Sequence, residues 1–397
     1  MTPAVAPALP ERLSVRDFPP GTPLHHFLAW NERRWRPDRR YRLLRDPARL
    51  PAAIAGPLAA AIGNPDMAAH AAVFSAFEAL QRPAPARPRR ILVIRLSAFG
   101  DFVQSLGPFA AIRRHHAGDC IALLTTGPYA GLARDLRLFD EVLIDERPGR
   151  LALGGWLALR RRLRRGGFDR VYDLQTSQRS SFYAWLLRPG LPEWSGIARF
   201  CSHPHANRGR DRQHTLDKQA EQLLMAGLYP TPPPALPRLN RALPEGLRGG
   251  GFVLLVPGAS PRHPAKRWPA AHFALLAEAL AAGEWRPVVV GSAEEAPLAA
   301  TIRQRCPAAL DLTGRTDLGL LAALAQHAAL TVGNDTGVCH LAAVAGCPVV
   351  VLFSRATDPA RHAPRGPLVR ILARPDLADL APETVIAEAL GMLAKRR

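Results

Sequence analysis

The stretch GNDTGVCHLAAVAGCPVVVLF, residues 333 to 353, sets Asp335, Thr336 and Gly337 in a row and follows them with His340. TVGN reads as the end of a strand, DTG as the opening of a helix, and CPVVVLF as the next strand. Polar residues at a strand-to-helix turn face the end of a sheet, where the free amide N–H groups of a helix N-terminus attract anions. Asp335 or Thr336 would serve equally well as an ordinary cap of the first turn.

Three further loops carry chemistry of the same kind. In SAFGD (97 to 101), Gly100 permits a tight turn and Asp101 falls in the first turn of the next helix. The helix dipole stabilises a carboxylate there by about 0.3 to 1 kcal/mol, so the residue also reads as a plain helix start. In VPGASPRHPAKRWP (256 to 269), Ser260, Arg262, Lys266 and Arg267 precede a helix. Lys266 is one of only three lysines in the chain, and its loop suits a pyrophosphate without matching a Walker loop. In GSAEEAP (291 to 297), Glu294 or Glu295 follows a strand, where a carboxylate can accept hydrogen bonds from ribose hydroxyls or simply begin a surface helix. No G-x-G-x-x-G follows the first strand of either half, which disfavours a dinucleotide oxidoreductase. No Asp-x-Asp offers a seat for a divalent metal on a nucleotide sugar.

The elements that must position these loops are legible as short apolar runs. RILVIR (90 to 95), IALLTT (121 to 126), EVLIDE (141 to 146) and RVYDLQ (170 to 175) alternate with helical patterns and end in the helix HTLDKQAEQLLMAG (214 to 227). A Pro-rich break, LYPTPPPALPRLNRALPEGLRGG (228 to 250), follows, and the alternation restarts with FVLLVPG, PVVVG, ALDLTG, LTVGND and PVVVLF. Buried strands alternating with helices indicate parallel sheets covered on both faces. The expected fold class is therefore α/β, with two Rossmann-like domains facing a cleft and an extra N-terminal segment expected to be helical. The expected boundaries are 1–82 for the extension, 90–228 and 251–375 for the two domains, and 376–397 for a C-terminal helix. PAPARPRR (83 to 90) links the extension to the first domain.

Composition narrows the function classes. The chain has 397 residues, is 48% hydrophobic and carries a net charge of +19, which points to an anionic partner. Only three lysines stand against 49 arginines, so part of this charge looks like coding bias. Five scattered cysteines without a C-x-x-C pair argue against a disulfide framework and a zinc site. No apolar run reaches the roughly 18 to 20 residues of a spanning helix. MTPAVAPALPERLS does not read as a signal peptide, so a cytoplasmic location is expected.

Taken together, RILVIRLSAFGDFVQSLGPFAAIR, FDRVYDLQTSQRSS, HTLDKQAEQLL, PGASPRHPAKRWP and GNDTGVCHLAAVAGCPVVVLF resemble glycosyltransferase family nine, the ADP-heptose:lipopolysaccharide heptosyltransferases. The similarity runs in order from about residue 90 to residue 355, with D-T-G-x-x-H its most specific piece. The resemblance implies a fold of the GT-B type and an inverting sugar transfer that needs no metal and no cofactor. It places Asp101 as catalytic base, with Ser260, Lys266, Asp335, Thr336, Gly337 and His340 on the nucleotide diphosphate and Glu294 or Glu295 on the ribose. Gly100, Arg179 and Lys218 fall on the acceptor side. The implied partners are a nucleotide sugar, ADP-heptose, and an anionic lipid-linked saccharide at the inner face of the bacterial inner membrane. Family members usually read G-P-M-H where this chain has Gly337-Val338-Cys339-His340, and Leu is commoner than Phe99 in their first loop. One rival is a relative that glycosylates a protein or uses another nucleotide sugar. Another is a basic nucleic-acid-binding protein, although no familiar nucleic-acid motif appears.

Overall fold

The computed structural model describes residues 9–34, 38–81, 87–249, 251–260 and 264–395. Arg262 and residues 83–86 of the 83–90 linker lie outside the described residues. Among the described residues there are twelve strands: β1 (Arg90–Ile94), β2 (Cys120–Thr125), β3 (Glu141–Ile144), β4 (Arg170–Asp173), β5 (Glu193–Gly196), β6 (His203–Pro204), β7 (Phe252–Val256), β8 (Arg286–Val289), β9 (Leu310–Asp311), β10 (Leu330–Asn334), β11 (Val349–Phe353) and β12 (Val369–Ala373). They form two six-stranded sheets in which every pairing is parallel.

The first sheet has the order β3-β2-β1-β4-β5-β6 and the second β12-β11-β10-β7-β8-β9. Counted from the first strand of each half, both are the doubly wound 3-2-1-4-5-6 arrangement. Its topological switch points lie between β1 and β4 and between β7 and β10. Ligands of such sheets bind outside the carboxyl ends of the strands at these points. The loops after β1, β7 and β10 are three of the four singled out from sequence. Helices cover the sheets, and the second sheet's core joins Val253, Leu255 and Val332 to Phe273 and Leu280 of the Ala270–Ala282 helix and to Val385, Ala389 and Leu393 of the terminal Pro382–Ala394 helix.

The chain divides into two compact units. The first contains the residues up to Leu96, Gly107–Gly127 and Arg137–Pro233; the second contains Ser97–Leu106, Pro128–Leu136 and Pro234 onward. The expected span 90–228 is thus interrupted: the short segment after β1 that carries Gly100 and Asp101 belongs with the second unit. β5, β6 and β12 are additional to the strands expected from sequence. The EWSG and HP strands are short and polar, and β12 has exposed positions, so none forms an apolar run.

Within the first unit the N-terminal segment is helical, with helices Pro23–Asn31, Arg39–Leu44, Ala52–Ala61 and Met67–Gln81. Phe27, Leu28, Phe74 and Phe77 share a core with Ala206, Leu224 and Met225, so the segment is packed rather than appended. A buried charged cluster reinforces the joint. Arg170 Nη1, at the start of β4, donates to Glu78 Oε2 at 2.5 Å, and His203 Nε2 lies 2.6 Å from Glu78 Oε1. Burial alone would raise the Glu78 pKa, but the Arg170 charge and the His203 hydrogen bond outweigh it and hold the carboxyl far below its usual range. Burial and the Arg170 charge push the His203 pKa down to about 4.

Candidate functional site

The site in the second unit is built on glycines that let backbone approach backbone. The helix Phe99–Gln104, which follows β1, begins against the helix Gly337–Val344, which follows β10. A Cβ on Gly337 would fall 2.4 Å from Phe99 Cδ1 and 2.8 Å from the Gly100 amide nitrogen. A Cβ on Gly100 would fall 3.0 Å from His340 Cδ2. Gly337 has no room for a side chain and one at Gly100 would press on His340, and the result sets the Asp101 turn beside the D-T-G-x-x-H turn. Phe99 completes the contact by stacking on Tyr129 at 5.9 Å. The half-buried Asp101 accepts a hydrogen bond from the Ala98 amide at 3.3 Å through Oδ2.

Around the second turn the charges are paired. Lys266 Nζ donates to Asp335 Oδ2 at 2.6 Å, and His340 Nε2 lies 4.0 Å from Asp335 Oδ1. Thr336 is the N-cap of the Gly337–Val344 helix but makes no side-chain cap hydrogen bond. The two capping readings therefore both fail: Asp335 turns to Lys266, and the helix start is left to its backbone amides. A ligand phosphate at this end would compete with Asp335 for Lys266 while meeting the positive end of the helix.

The neighbouring loops are tied to the same turn. Asn334, the last residue of β10, accepts from the Trp268 amide at 3.0 Å and donates to the carbonyls of Pro257 and Gly258 at 2.8 and 3.2 Å. It thereby fixes the 257–260 loop and Ser260, which is exposed at its end. Arg267 is committed to the same loop, donating to the Ala259 carbonyl at 2.9 Å. Glu295 turns inward: a Cβ on Gly258 would sit 1.6 Å from its Oε1, and one on Gly291 would sit 2.4 Å from its Oε2. Its carboxylate also accepts from the Ser292 amide at 2.7 Å. Glu294 is exposed. Sequence reading passed over Asn334, Gly258 and Gly291; two glycines at successive strand ends were the available signal.

The cysteine that departs from the family's usual motif is explained by packing. Cys339 is buried, donates to the Asn334 carbonyl at 3.2 Å, and has its pKa raised by burial to about 12, so it serves as a small apolar group.

Arg179 and Lys218 lie on the first unit, on helices Gln178–Leu186 and Thr215–Met225. Arg179 is engaged within that unit: Nε donates to the Tyr183 hydroxyl at 2.7 Å, and Nη1 and Nη2 reach the Pro148 carbonyl at 3.3 and 3.2 Å. The guanidinium also stands 4.8 Å over the Trp156 ring. Beyond the carboxyl end of β4 lies a polar network that sequence reading missed. His205 Nε2 and Asn207 Nδ2 meet Glu221 Oε2 at 2.9 and 2.8 Å, and Arg210 bridges His205 to Thr176. His26 of the N-terminal segment stands 4.0 Å from Glu221. Nearby, burial raises the pKa of Asp173 to about 6.

Two doubly wound parallel sheets of this order give the chain an α/β architecture of the GT-B type. The model of glycosyltransferase family 9 (heptosyltransferase) matches residues 156–387, and the chain belongs to this family. Lipopolysaccharide heptosyltransferase 2 of Escherichia coli K12 is 26% identical over 353 residues, covering 77% of this chain and 98% of that protein. Lipooligosaccharide heptosyltransferase 2 of Haemophilus influenzae is 30% identical over 155 residues, 33% of this chain and 44% of the relative's length. The structure of E. coli ADP-heptose lipopolysaccharide heptosyltransferase II superposes with a TM-score of 0.63 at 22% identity, covering 77% of this chain and 99% of that one.

Proposed function

We propose that the protein transfers heptose from ADP-heptose to a hydroxyl of the lipopolysaccharide inner core, with inversion and without a metal. The relatives' names supply the substrate class. The observation that carries the mechanism is the glycine-mediated approach of the Asp101 turn to the turn holding Lys266, Asp335 and His340. Asp101 takes the proton of the acceptor hydroxyl, and the oxygen attacks the anomeric carbon. The bond from that carbon to the phosphate oxygen breaks, and ADP leaves with the electron pair. A positioned base contributes about 10² to 10⁴ in rate. Lys266 and the amides at the start of the Gly337–Val344 helix meet the charge that develops on the diphosphate, work suited to preorganised dipoles.

Glu295, held inward over Gly258 and Gly291, is the better placed of the two glutamates for the ribose. Ser260 and Thr336 offer hydroxyls to the phosphates, and Arg179 and Lys218 offer positive charge to an anionic acceptor. Such an acceptor is lipid-linked, so the enzyme works at the cytoplasmic face of the inner membrane as a peripheral protein. Among the described residues no helix is long and apolar enough to cross a membrane.

The test is transfer from ADP-heptose to a heptose-deficient core acceptor, with the anomeric configuration of the product read by NMR and the reaction repeated in EDTA. Transfer with inversion that survives EDTA is expected. Retention of configuration, or transfer only from another nucleotide sugar, would overturn the proposal.

A further inference from the structure

Exposed large apolar side chains are not spread evenly over this protein. Among the described residues, half of them fall between 151 and 200, all in the first unit. The helix Leu153–Arg165 shows how they arise. Its Leu159 and Leu163 are buried against the sheet. Leu153, Leu157, Arg161 and Arg164 fall at helical spacing on the opposite side. Leu153 is 74% exposed and Leu157 57% exposed, and Leu151, just before the helix, is 94% exposed. The outer stripe therefore runs from leucine to arginine along one face.

The next helix, Gln178–Leu186, continues the surface. Its Phe182 packs edge-on against Trp156 at 5.3 Å, and its Trp185, half exposed, packs edge-on against Phe200 at 5.4 Å. The Arg188 guanidinium stands 4.4 Å from the Trp185 ring and 4.5 Å from the Phe200 ring. Arg160 ties the two helices together by donating to the carbonyls of Leu186 and Arg188 at 3.2 and 3.1 Å. The N-terminal segment extends the patch, since Arg34 stacks on Trp30 at 3.8 Å and donates to the Arg199 carbonyl at 2.7 Å.

Charge decides what this face fits. Residues 147–168 contain seven arginines and no aspartate or glutamate, and residues 174–192 contain no acid either. A second copy of the chain packed on this face would set arginine against arginine, which is repulsive. A nucleic acid would use the arginines but leave the leucines in water. An anionic bilayer surface uses both: leucine and the aromatic rings enter the boundary of the acyl chains, while arginines reach the headgroups along their own apolar stems.

We infer that the outer face of helices Leu153–Arg165 and Gln178–Leu186 is the surface by which this protein docks on anionic phospholipid. The inference rests on the reading of a membrane-borne acceptor but locates the contact on these two helices, with the N-terminal segment at its edge.

The experiment is flotation of the full chain with phosphatidylethanolamine–phosphatidylglycerol vesicles and with phosphatidylcholine vesicles, at low and high salt. It compares wild type with Leu153→Glu/Leu157→Glu and with Arg303→Glu/Arg374→Glu, which remove leucines from the face and change charge elsewhere, respectively. Thermal melting checks that each variant is folded, and Leu157→Ser with Trp185→Ser replaces the first pair if it is not. Wild type should float with the anionic vesicles only, and less at high salt. The leucine pair should lose about 10-fold or more in partitioning, while the distant pair should lose far less. Unchanged flotation of a folded patch variant overturns the inference, as do equal flotation with both lipids and tighter binding to duplex DNA than to the anionic vesicles. Transfer to a soluble, delipidated core saccharide is measured on the same variants. Its failure in wild type would count against the transferase reading, while flotation alone judges the patch.

Discussion

Two clusters in this protein are built from the same three residue types, a cation, a carboxylate and a histidine, and they do opposite things. In the first unit Arg170 and His203 hold Glu78 at 2.5 and 2.6 Å, with all three side chains almost wholly buried. In the second, Lys266 holds Asp335 at 2.6 Å while His340 stands off at 4.0 Å and Lys266 keeps some exposure to solvent. Arg170 opens β4, whereas Asp335 follows the last residue of β10. Position in the sheet separates the roles. At the amino end of a strand the ions are closed in among packed helices and can only join parts of the fold. At the carboxyl end, beside a helix start with no side-chain cap, the pair can be opened by a ligand.

The largest expected effect breaks the first cluster. Glu78→Gln leaves the buried Arg170 with only the more distant Glu193 carboxylate, at 3.7 Å, as counter-charge and should cost about 3 kcal/mol of stability, read by urea denaturation. A loss below about 1 kcal/mol would mean that the buried cluster is not what fastens the N-terminal segment.

Next comes the approach of the two turns. Gly337→Ala would drive a methyl group into Phe99 and the Gly100 backbone, at about 1 to 3 kcal/mol in stability and about 10²-fold in transfer through misplacement of the reacting groups. Gly391→Ala is the control, since nothing lies within 4 Å of that position in the Pro382–Ala394 helix. It should stabilise by about 0.5 to 1 kcal/mol and leave transfer alone.

Opening the second cluster should be milder for the fold. Lys266→Ala is expected to weaken ADP binding by about 10-fold or more, since a charge-assisted contact to phosphate is lost, with a stability loss of about 1 to 2 kcal/mol because the buried Asp335 keeps only His340 nearby. Calorimetric titration with ADP and thermal melting on the same sample separate the two effects.

The smallest effect is in pH dependence. Burial lowers the pKa values of His203, His205, His26 and His70, so the unfolded chain takes up protons before the folded one as pH falls below about 6.5. Stability should decline across that interval, and further as pH falls below the usual carboxylate range, where the unfolded chain protonates Glu78 while the folded one still holds it ionised. Asp173 acts in the opposite sense: its pKa, raised to about 6, lets the folded state bind a proton first and offsets part of the decline. Asp173→Asn should therefore make the fall in melting temperature between pH 7.5 and pH 5 steeper. A shallower fall would contradict the assignment.

Much of this was legible in the sequence because it rests on short-range rules. Apolar runs such as RILVIR, FVLLV and PVVVLF, alternating with helical patterns, read as buried parallel strands and are so in the structure, and Gly, Asp and Lys at their ends marked the candidate loops. What escaped depends on tertiary contact. Nothing local says that the residues after β1 pack with the second unit, because the reason is a missing side chain at Gly337, more than two hundred residues away. Nothing local assigns Asp335 to Lys266 rather than to its own helix, or selects Glu295 over Glu294. Nor do the His205, Asn207, Arg210 and Glu221 positions form a pattern until the carboxyl end of the first sheet collects them.

The central claim is that Asp101 is a base held beside the diphosphate turn, and one variant tests it. Asp101→Asn keeps the size of the side chain and an oxygen able to accept from the Ala98 amide, but it cannot take the acceptor's proton. Single-turnover transfer should fall by about 10²-fold or more while ADP affinity changes by less than about threefold, because the lost interaction belongs to the transition state. Near-wild-type transfer by a folded Asp101→Asn protein that still binds ADP would show that the carboxylate only begins its helix, and the proposed mechanism would fall.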